Sequence, residues 1–595
     1  MSGDTEQKIA DAIKGFLVQC DAVDVPVHID TISDLQHGDV TTNIAFLLAK
    51  RLKKTPVVIA QELADFLAHQ NIVGVDKVVA AGAGFVNITF NGNYYAQLLS
   101  EILADGDAYG TNTKHAGEVW AIEHTSPNPN KAMHLGHLRN NLVGMSVGHI
   151  LEWSGATVIY EAVDNNRGIA IAKLMWGFLA HMKKNADVPT DISYWATHQE
   201  EWYTPEDRGV PPDIFVSECY ILGDKDCKDP DIENKVRELV VRWEAGEEVV
   251  WKLWSHVLGY SYAGMDRTLR RLGNRWDVVW HEHEHYQKGK EYVEKGLAAG
   301  VFQKLEDGAV LTSLSAYNNI PDTILLKRDG TSLYITQDLA LTALKKEIHH
   351  ADHLVWVIGP DQTLAMRQLF AVCEQLGIGK LSDFTHVSYG YVGLKGADGG
   401  FQKMSSRAGT VVLIDDVLDE VRDALEKTYA EKGSILADEN NDLFEKLALA
   451  AVKFSILKPE RTQDTQFDVE RSVEVKGDSG IYVMYTYVRT QSILRKAHAL
   501  GKKVEVPQEV VQGSEVVRML RLFPKAVERA LQDLSVHHVA QYLLELSGAF
   551  NAWYATEVIL DGGTEEAEKL AVVEAVSLVL KNGLSIMGIR AVDEM

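Results

Sequence analysis

The residues best suited to chemistry lie together in one short stretch of this chain. His134 and His137 flank a glycine, Gly136, and Lys131 stands three residues upstream of the first histidine. Apolar residues recur at helical spacing after this stretch, so the histidines fall at the start of a helix. Free backbone N–H groups and the helix dipole favour phosphate there, and histidine and lysine side chains add N–H donors. Four residues alone leave an ordinary helix cap open as the alternative.

The elements around this stretch belong to a parallel sheet. A buried strand ends at residue 122, the helix closes at Gly155, and residues 156–160 read as the next strand. A polar loop, 163–168, follows that strand, at the edge of the sheet where substrates bind in such folds. The alternation resumes later in the chain with a strand at 354–358. The pattern predicts an α/β fold with a Rossmann-like parallel sheet.

Three domains follow from the change of pattern along the chain. The pattern of residues 1–112 predicts a small α+β domain, and that of residues 113–470 predicts the Rossmann-like catalytic domain. An insertion rich in tryptophan and acidic residues interrupts the second domain at about 185–290. Residues 471–595 predict an all-α domain.

The insertion contains two further patterns. Residues 231–258 indicate one helix, and His281-Glu282-His283-Glu284-His285 would line three histidines on one strand face. A metal site is conceivable there, but an exposed strand of charged residues is favoured, and no protein metal site is predicted.

Composition limits the class of protein. The chain has 595 residues, 46% of them hydrophobic and 24% charged, with a net charge of −25. The charge argues against nucleic acid only weakly, because residues 471–595 hold 14 basic against 16 acidic residues. The four cysteines form no Cys-x-x-Cys pair, and the sequence shows neither a secretory signal nor a membrane span. A cytoplasmic protein without a membrane partner is expected.

Further motifs carry a family resemblance. The His-x-Gly-His loop, together with Lys403-Met404-Ser405-Ser406 some 270 residues later, resembles the two ATP-binding signatures of class I aminoacyl-tRNA synthetases. Within that class the chain resembles the arginyl-tRNA synthetase family in five more places. They are the Glu123–Lys131 lead-in, Leu333–Asp338, Ser479–Tyr482 with the following Arg489 to Arg495, the ending Gly588–Met595, and the GDVTTN stretch at 38–43.

The resemblance implies an enzyme that uses ATP to activate L-arginine and transfers it to the 3′-terminal adenosine of tRNA(Arg). It implies that residues 1–112 bind tRNA, that residues 471–595 bind the anticodon, that Mg²⁺ accompanies ATP, and that the protein is a monomer. The implied ATP-binding residues are His134, Gly136, His137, Lys403, Met404 and Ser405. The implied arginine-binding residues are Glu123, Asn128, Tyr334, Asp338 and Gln362.

Side-chain chemistry supports the arginine residues. Asp338 lies four residues after Tyr334, so both side chains project from one helical face. A carboxylate matches the planar, five-donor guanidinium far better than it matches a single ammonium. We therefore expect the site to reject lysine strongly, without the need for an editing domain.

One departure from the class pattern shapes the mechanism. Ser406 stands where the class has its second signature lysine, which removes a charge that stabilises the transition state. We predict that Lys131 substitutes for it, acting with His134, His137 and Lys403 as the catalytic residues. Two alternatives stay open on the sequence, a non-catalytic tRNA-binding paralogue and a class I synthetase for another amino acid.

Overall fold

The computed structural model describes residues 2–32, 37–395, 401–403, 412–431, 441–508, 510 and 514–595. Contacts divide the chain into two compact units. One unit comprises residues 1–111, 474–530 and 538–595, and the other comprises residues 112–473 and 531–537. The two ends of the chain, predicted as separate domains, therefore share one unit. No helix in the described ranges is long and apolar enough to cross a membrane.

The N-terminal part of the first unit is α+β, as predicted. Its elements are α1 (Ser2–Gln19), β1 (Asp30–Thr31), β2 (Val40–Thr42), α2 (Ile44–Leu52), α3 (Pro56–His69), β3 (Val75–Ala81), β4 (Phe85–Phe90) and α4 (Gly92–Asp105). The strands form an antiparallel sheet in the order β1-β2-β4-β3. Buried Asp39 ties this sheet to α4, since it accepts hydrogen bonds from the Phe90 N–H at 2.8 Å and the Tyr95 hydroxyl at 2.5 Å.

The second unit contains the parallel sheet and the insertion. Its elements are β5 (Val119–Glu123), α5 (Leu135–Trp153), β6 (Thr157–Asp164), α6 (Ile169–His181), α7 (Ile192–Thr197), α8 (Pro205–Arg208), α9 (Pro212–Asp226), α10 (Pro230–Glu244), α11 (Glu248–Leu272), β7 (Val278–His281), α12 (Glu282–His285), α13 (Gly289–Ala298), β8 (Gln303–Lys304), β9 (Val310–Thr312), β10 (Thr323–Leu326), α14 (Tyr334–His349), β11 (His353–Val357), α15 (Thr363–Gln375), β12 (Phe384–Val387), β13 (Val392–Lys395), β14 (Phe401–Lys403), α16 (Ile414–Glu431), α17 (Asn441–Leu457), β15 (Thr465–Phe467) and α18 (Val469–Ser472).

The central sheet has the order β12-β11-β5-β6-β7, and each neighbouring pair is parallel. The chain runs outward from β5 through β6 to β7, and later occupies the other side of β5 with β11 and β12. The strand order therefore reverses between β5 and β11. Ligands bind outside the carboxyl ends of the strands at such a switch point, which here is the end of β5 at Glu123.

Helix α5 packs closely on the sheet because it carries glycine where side chains would collide. A Cβ at Gly144 would lie 2.3 Å from the Cβ of His124, and one at Gly148 would lie 2.2 Å from the Tyr160 ring. Neither distance is compatible with a real side chain. The two glycines thus let the middle of α5 lie close to His124, just after β5, and to Tyr160 of β6.

The predicted insertion differs from the structure in two respects. It was expected to extend to about residue 290, but β7 pairs with β6 in the central sheet, so the inserted material ends before Val278. The helix expected over 231–258 is two helices, α10 and α11, because the chain turns at Gly246 with φ of 76°. Buried aromatic residues of α6, α7, α9, α10 and α11 give this part its own apolar core.

The C-terminal part of the chain is helical, as predicted. Its helices are α19 (Gly480–Ala499), α20 (Glu515–Leu520), α21 (Phe523–Asp533), α22 (His537–Thr556) and α23 (Glu566–Ile586). Arg521 links these helices to the N-terminal sheet, because its guanidinium donates to Glu6 at 3.0 Å and to the Asp39 carbonyl at 2.9 Å.

Candidate active site

A cavity of about 830 Å³ lies at the carboxyl ends of β5 and β11 and beside the start of α14. Six of the site residues predicted from the sequence line it, namely Glu123, Asn128, His137, Tyr334, Asp338 and Gln362. Lys131, His134 and Gly136 are not in its wall but lie next to it, in the segment that begins α5. Met404 and Ser405 lie outside the described residues.

The two signature histidines cap α5. The Nδ1 atom of His134 accepts a hydrogen bond from the Gly136 N–H at 3.1 Å, and the Nδ1 atom of His137 accepts one from the His134 N–H at 3.2 Å. Their rings stack with centroids 3.9 Å apart. A neutral imidazole that accepts through Nδ1 carries its proton on Nε2. The cap therefore fixes both rings as Nε2–H donors.

These histidines are neutral at pH 7. Burial, with a smaller contribution from Lys131, lowers the pKa of His134 to about 4. Burial also lowers the pKa of His137 well below its usual value, and the neighbouring His134 and Lys131 add to the effect. The rings thus offer hydrogen bonds rather than charge, and the positive charge beside them belongs to Lys131.

Lys131 is placed to meet an anion. Its side chain is half-buried, and burial lowers the pKa of its ammonium. Within the described part of the chain it has neither a carboxylate partner nor a hydrogen-bond acceptor. A partly desolvated ammonium without a counter-ion gains strongly from an incoming phosphate.

We expect Gly136→Ala to weaken ATP binding. The new Cβ would lie 3.0 Å from Cε1 and 3.1 Å from Nδ1 of His134, so the ring must shift and the cap hydrogen bond lengthen. A strained rotamer and a weakened hydrogen bond together cost about 1–2 kcal/mol, which raises the KM for ATP about tenfold. Gly259→Ala is the control, because no heavy atom lies within 4 Å of that Cβ position. Equal KM values for both variants would contradict the role of the His134 cap.

The segment that follows the second signature lies against the first. The Leu135 N–H donates to the Val412 carbonyl and the Ile414 N–H donates to the Met133 carbonyl, each at 3.1 Å. Lys403 ends β14, where its backbone pairs with Gly393 of β13. Residues 412–414, which follow the second signature in sequence, are thus hydrogen-bonded to the first signature.

The floor of the cavity is acidic. Glu123 is buried at the end of β5, and Asp338 lies one turn into α14, on the same side as Tyr334. Burial, together with the charge of Glu123, raises the pKa of Asp338 to about 7, although the Lys345 ammonium acts in the opposite direction. A buried carboxyl group with a second carboxylate beside it forms a site for a cation. Tyr334 also lines the cavity but is 85% exposed.

The loop after β6 forms the opposite wall, as predicted for residues 163–168. Asn165 donates a hydrogen bond to the side chain of Asn128 at 3.2 Å. Arg167 pairs with Glu282 and lies 3.8 Å from the centre of the Tyr286 ring. Asn128 is thereby fixed, and the charge of Arg167 is largely compensated before any ligand binds.

Sequence reasoning missed several cavity residues. Asn140, on the second turn of α5, accepts from the Thr125 N–H at 2.5 Å and donates to the Val357 carbonyl at 2.7 Å, which joins the ends of β5 and β11. Tyr389 lies after β12 and accepts from Asn140 at 3.0 Å. Lys345, which lies outside the cavity lining, donates to Glu123 at 2.7 Å. Asn140 follows the His-x-Gly-His loop by three residues, and this proximity was the signal that could have found it.

The histidine-rich segment is not the exposed strand that was expected. It ends β7 at His281 and continues as the short helix α12. His281 contacts Asp164 at 2.7 Å, and the ring of His283 contacts Asn166 at 2.9 Å. Among the described residues no cluster of three or more His, Cys, Asp or Glu side chains could hold a metal ion.

Comparison with known proteins shows which families this chain is similar to. Family models match residues 98–469 as "tRNA synthetases class I (R), catalytic domain", residues 483–595 as "DALR anticodon binding domain", and residues 4–90 as "Arginyl tRNA synthetase N terminal domain". Arginine–tRNA ligase of Treponema denticola is 32% identical over 99% of both chains, and that of Bacteroides fragilis is 31% identical over 93% of both. The arginyl-tRNA synthetase of Thermus thermophilus shares the fold, with a TM-score of 0.78 at 23% identity over 99% of this chain and 100% of that one.

The parallel sheet, the capped histidine loop and the helical C-terminal part define a class I aminoacyl-tRNA synthetase. With these relatives the assignment becomes specific. The chain belongs to the arginyl-tRNA synthetase family, and it is an aminoacyl-tRNA ligase. The predicted family, fold class and enzyme class are confirmed, and a synthetase for another amino acid is excluded as the alternative.

Proposed function

We propose that this cavity binds L-arginine and ATP, forms arginyl-adenylate and transfers arginine to tRNA(Arg). The observation that carries the proposal is the acidic floor at Glu123 and Asp338, which continues at His137 into the capped histidine pair. A site for a doubly cationic amino acid therefore borders directly on a site for phosphate. The family membership supports the same activity.

Arginine is held at both ends in this proposal. Asp338 and Tyr334 receive the guanidinium, Gln362 lines that part of the cavity, and Glu123 with Asn128 receives the α-ammonium. A carboxylate accepts two parallel hydrogen bonds from a guanidinium, whereas an ammonium offers it a single point of charge. Lysine leaves part of a buried acceptor unpaired and is rejected on binding alone.

ATP enters as its Mg²⁺ complex, with its phosphates at the start of α5. The Nε2–H groups of His134 and His137 donate to phosphate oxygens, Gly136 lies against the adenine, and Lys131 supplies positive charge. Lys403, Met404 and Ser405 complete the binding of the triphosphate. The α-carboxylate of arginine attacks the α-phosphorus in line, the bond to the bridging oxygen breaks, and pyrophosphate leaves.

No protein base is needed in this first step, because the attacking carboxylate is already ionised at pH 7. The side chains act by position and charge alone. In the second step the 2′-hydroxyl of the terminal adenosine attacks the adenylate carbonyl carbon, its proton is released and AMP leaves. Residues 1–112 and 471–595 bind the tRNA. The proposal also includes a cytoplasmic location and a monomeric state. Sedimentation of the purified protein tests the monomeric state.

The proposal predicts that arginine binding depends on pH. With a pKa of about 7 in the empty cavity, Asp338 is protonated below pH 7 and ionised above it. A guanidinium lowers that pKa, so affinity is fully present above pH 7 and is lost as the pH falls. At pH 6 about one Asp338 in ten is ionised, so the Kd for arginine should be about tenfold higher than at pH 8.

Titration calorimetry of arginine between pH 6 and 8 checks this dependence. The cations of arginine stay charged in this range, and His134, with its pKa of about 4, stays neutral. Asp338→Asn should bind weakly with a flat profile. A Kd for the wild-type protein that is constant from pH 6 to 8 would contradict the placement of arginine on Asp338.

ATP–pyrophosphate exchange tests the proposed function itself. Arginine, lysine and citrulline are each supplied with and without tRNA(Arg). If exchange occurs with arginine and only when tRNA is present, the result supports the proposed activity and a tRNA-dependent first step. Exchange with arginine alone supports the enzyme and removes that dependence. Folded protein that shows no exchange in any condition would favour the tRNA-binding paralogue.

A further inference from the structure

Lys345 is a fully buried cation directly beneath the arginine cavity. It lies on α14, two turns after Asp338, and its side chain is 1% exposed. Its Nζ lies 2.7 Å from Glu123 and 3.0 Å from Glu161. Burial acts to lower the pKa of this ammonium, but the two carboxylates outweigh burial and raise it. Lys345 therefore remains charged inside the protein.

Glu161, the second carboxylate that contacts Lys345, also contacts two other side chains. Glu161, on β6, accepts from Trp280 at 2.8 Å and contacts His349 at 2.6 Å. Burial raises the pKa of Glu161, yet Lys345 and these donors bring it below its usual value. Glu161 is thus an ionised partner for Lys345. It does not line the cavity.

The charges around the cavity can be counted from these contacts. Glu123, Glu161 and Asp338 contribute three negative charges and Lys345 one positive charge, which leaves two negative charges. Glu282, which also faces Asp338, shares Arg167 with the more exposed Glu244, so this group of charges is left out of the count. Free arginine brings two cationic groups. Its α-carboxylate, which faces ATP in the proposed function, adds one negative charge, so the bound site keeps one net negative charge and only the two cationic groups match the two negative charges of the protein.

We propose that Lys345 is a positioning residue that sets the charge of the arginine cavity and the orientation of Glu123. This inference rests on the proposed function. Lys345 binds Oε2 of Glu123, and no hydrogen bond reaches Oε1 from the described part of the chain, so we assign Oε1 to the α-ammonium. It also stabilises the ionised form of Asp338, on the same helix, without touching the substrate. A cation buried beside a cation-binding site opposes the effect of burial on Asp338, which favours its protonated form.

The test follows the pH midpoint of arginine binding in three variants. Lys345→Met leaves three negative charges, so the carboxylates take up protons more readily and the midpoint should rise by about one pH unit, with about tenfold weaker binding at pH 7. Glu161→Gln leaves one negative charge, and the midpoint should fall. The double variant restores two negative charges and should return towards the wild-type midpoint. ATP binding should not change in any of them.

Lys346→Met is the matched control. Lys346 is the next residue of α14, and its ammonium binds Asp383 and the carbonyls of Ala351 and Asp352 rather than the cavity. Its loss should leave the midpoint in place. Should Lys345→Met fail to fold, Glu161→Gln still carries the test, because Lys345 and Glu123 remain paired in that variant.

Two results would overturn the inference. One is a midpoint that stays constant across the variants, and the other is a loss of affinity of equal size at every pH, which indicates a structural role only. Wild-type protein that binds no arginine would contradict the proposed function instead. The wild-type titration therefore distinguishes failure of the function from failure of the inference.

Discussion

Asp338→Asn is expected to lower kcat/KM for arginine by about a thousandfold, which corresponds to about 4 kcal/mol. The change removes one partner of a buried, charge-assisted pair and leaves the guanidinium beside an amide whose N–H groups oppose it. The site is prepared for this pair, since burial and Glu123 raise the pKa of Asp338 to about 7 in the absence of a counter-ion. Steady-state exchange assays at pH 8 measure the effect.

Citrulline separates loss of the charge pair from loss of the fold. It has the shape of arginine without the positive charge, so the wild-type protein should discriminate strongly against it, and Asp338→Asn should discriminate little. Asp416→Asn, at an exposed position in the first turn of α16, is the control and should behave as the wild type does. Full discrimination retained by Asp338→Asn would place the guanidinium elsewhere in the cavity.

The parts of this site that could be predicted from the sequence are those fixed by local pattern. The four-residue spacing of Tyr334 and Asp338 predicted their common helical face, which α14 provides. The loop before α5 was predicted from a strand, a turn and a helix in succession. In both cases the residues that determine the structure lie within one or two helical turns of one another.

The remaining features depend on contacts between distant parts of the chain. Lys345 reads as one more polar residue in the last turns of a helix, and only the fold brings it to Glu123, 222 residues away. The end of the insertion was misplaced because β7 has no clear strand pattern, since it has only four residues and two of them are tryptophan and histidine. Its place in the sheet comes from pairing with a strand 117 residues earlier. Arg521 joins the two ends of the chain across 515 residues, a contact without any local signal.

Lys131→Met is expected to lower kcat by about a hundredfold to a thousandfold while the Kd for arginine barely changes. Removing one preorganised positive group from a reaction that develops charge on phosphate costs about 2.7–4 kcal/mol. Ser406 supplies no charge at the second signature position. Lys131, by contrast, is close enough to lower the pKa of both His134 and His137. The loss should therefore appear in kcat of the exchange reaction.

The fold should tolerate Lys131→Met, which makes the kinetic result interpretable. Burial lowers the pKa of Lys131, so its charge opposes folding, and a methionine of similar length should leave the melting temperature unchanged or raise it. Lys114→Met, at an exposed position before β5, is the control. Lys131→Arg keeps the charge and should recover part of kcat. An unchanged kcat in folded Lys131→Met would mean that another cation stabilises the transition state, and the substitution of Lys131 for the missing signature lysine would be wrong.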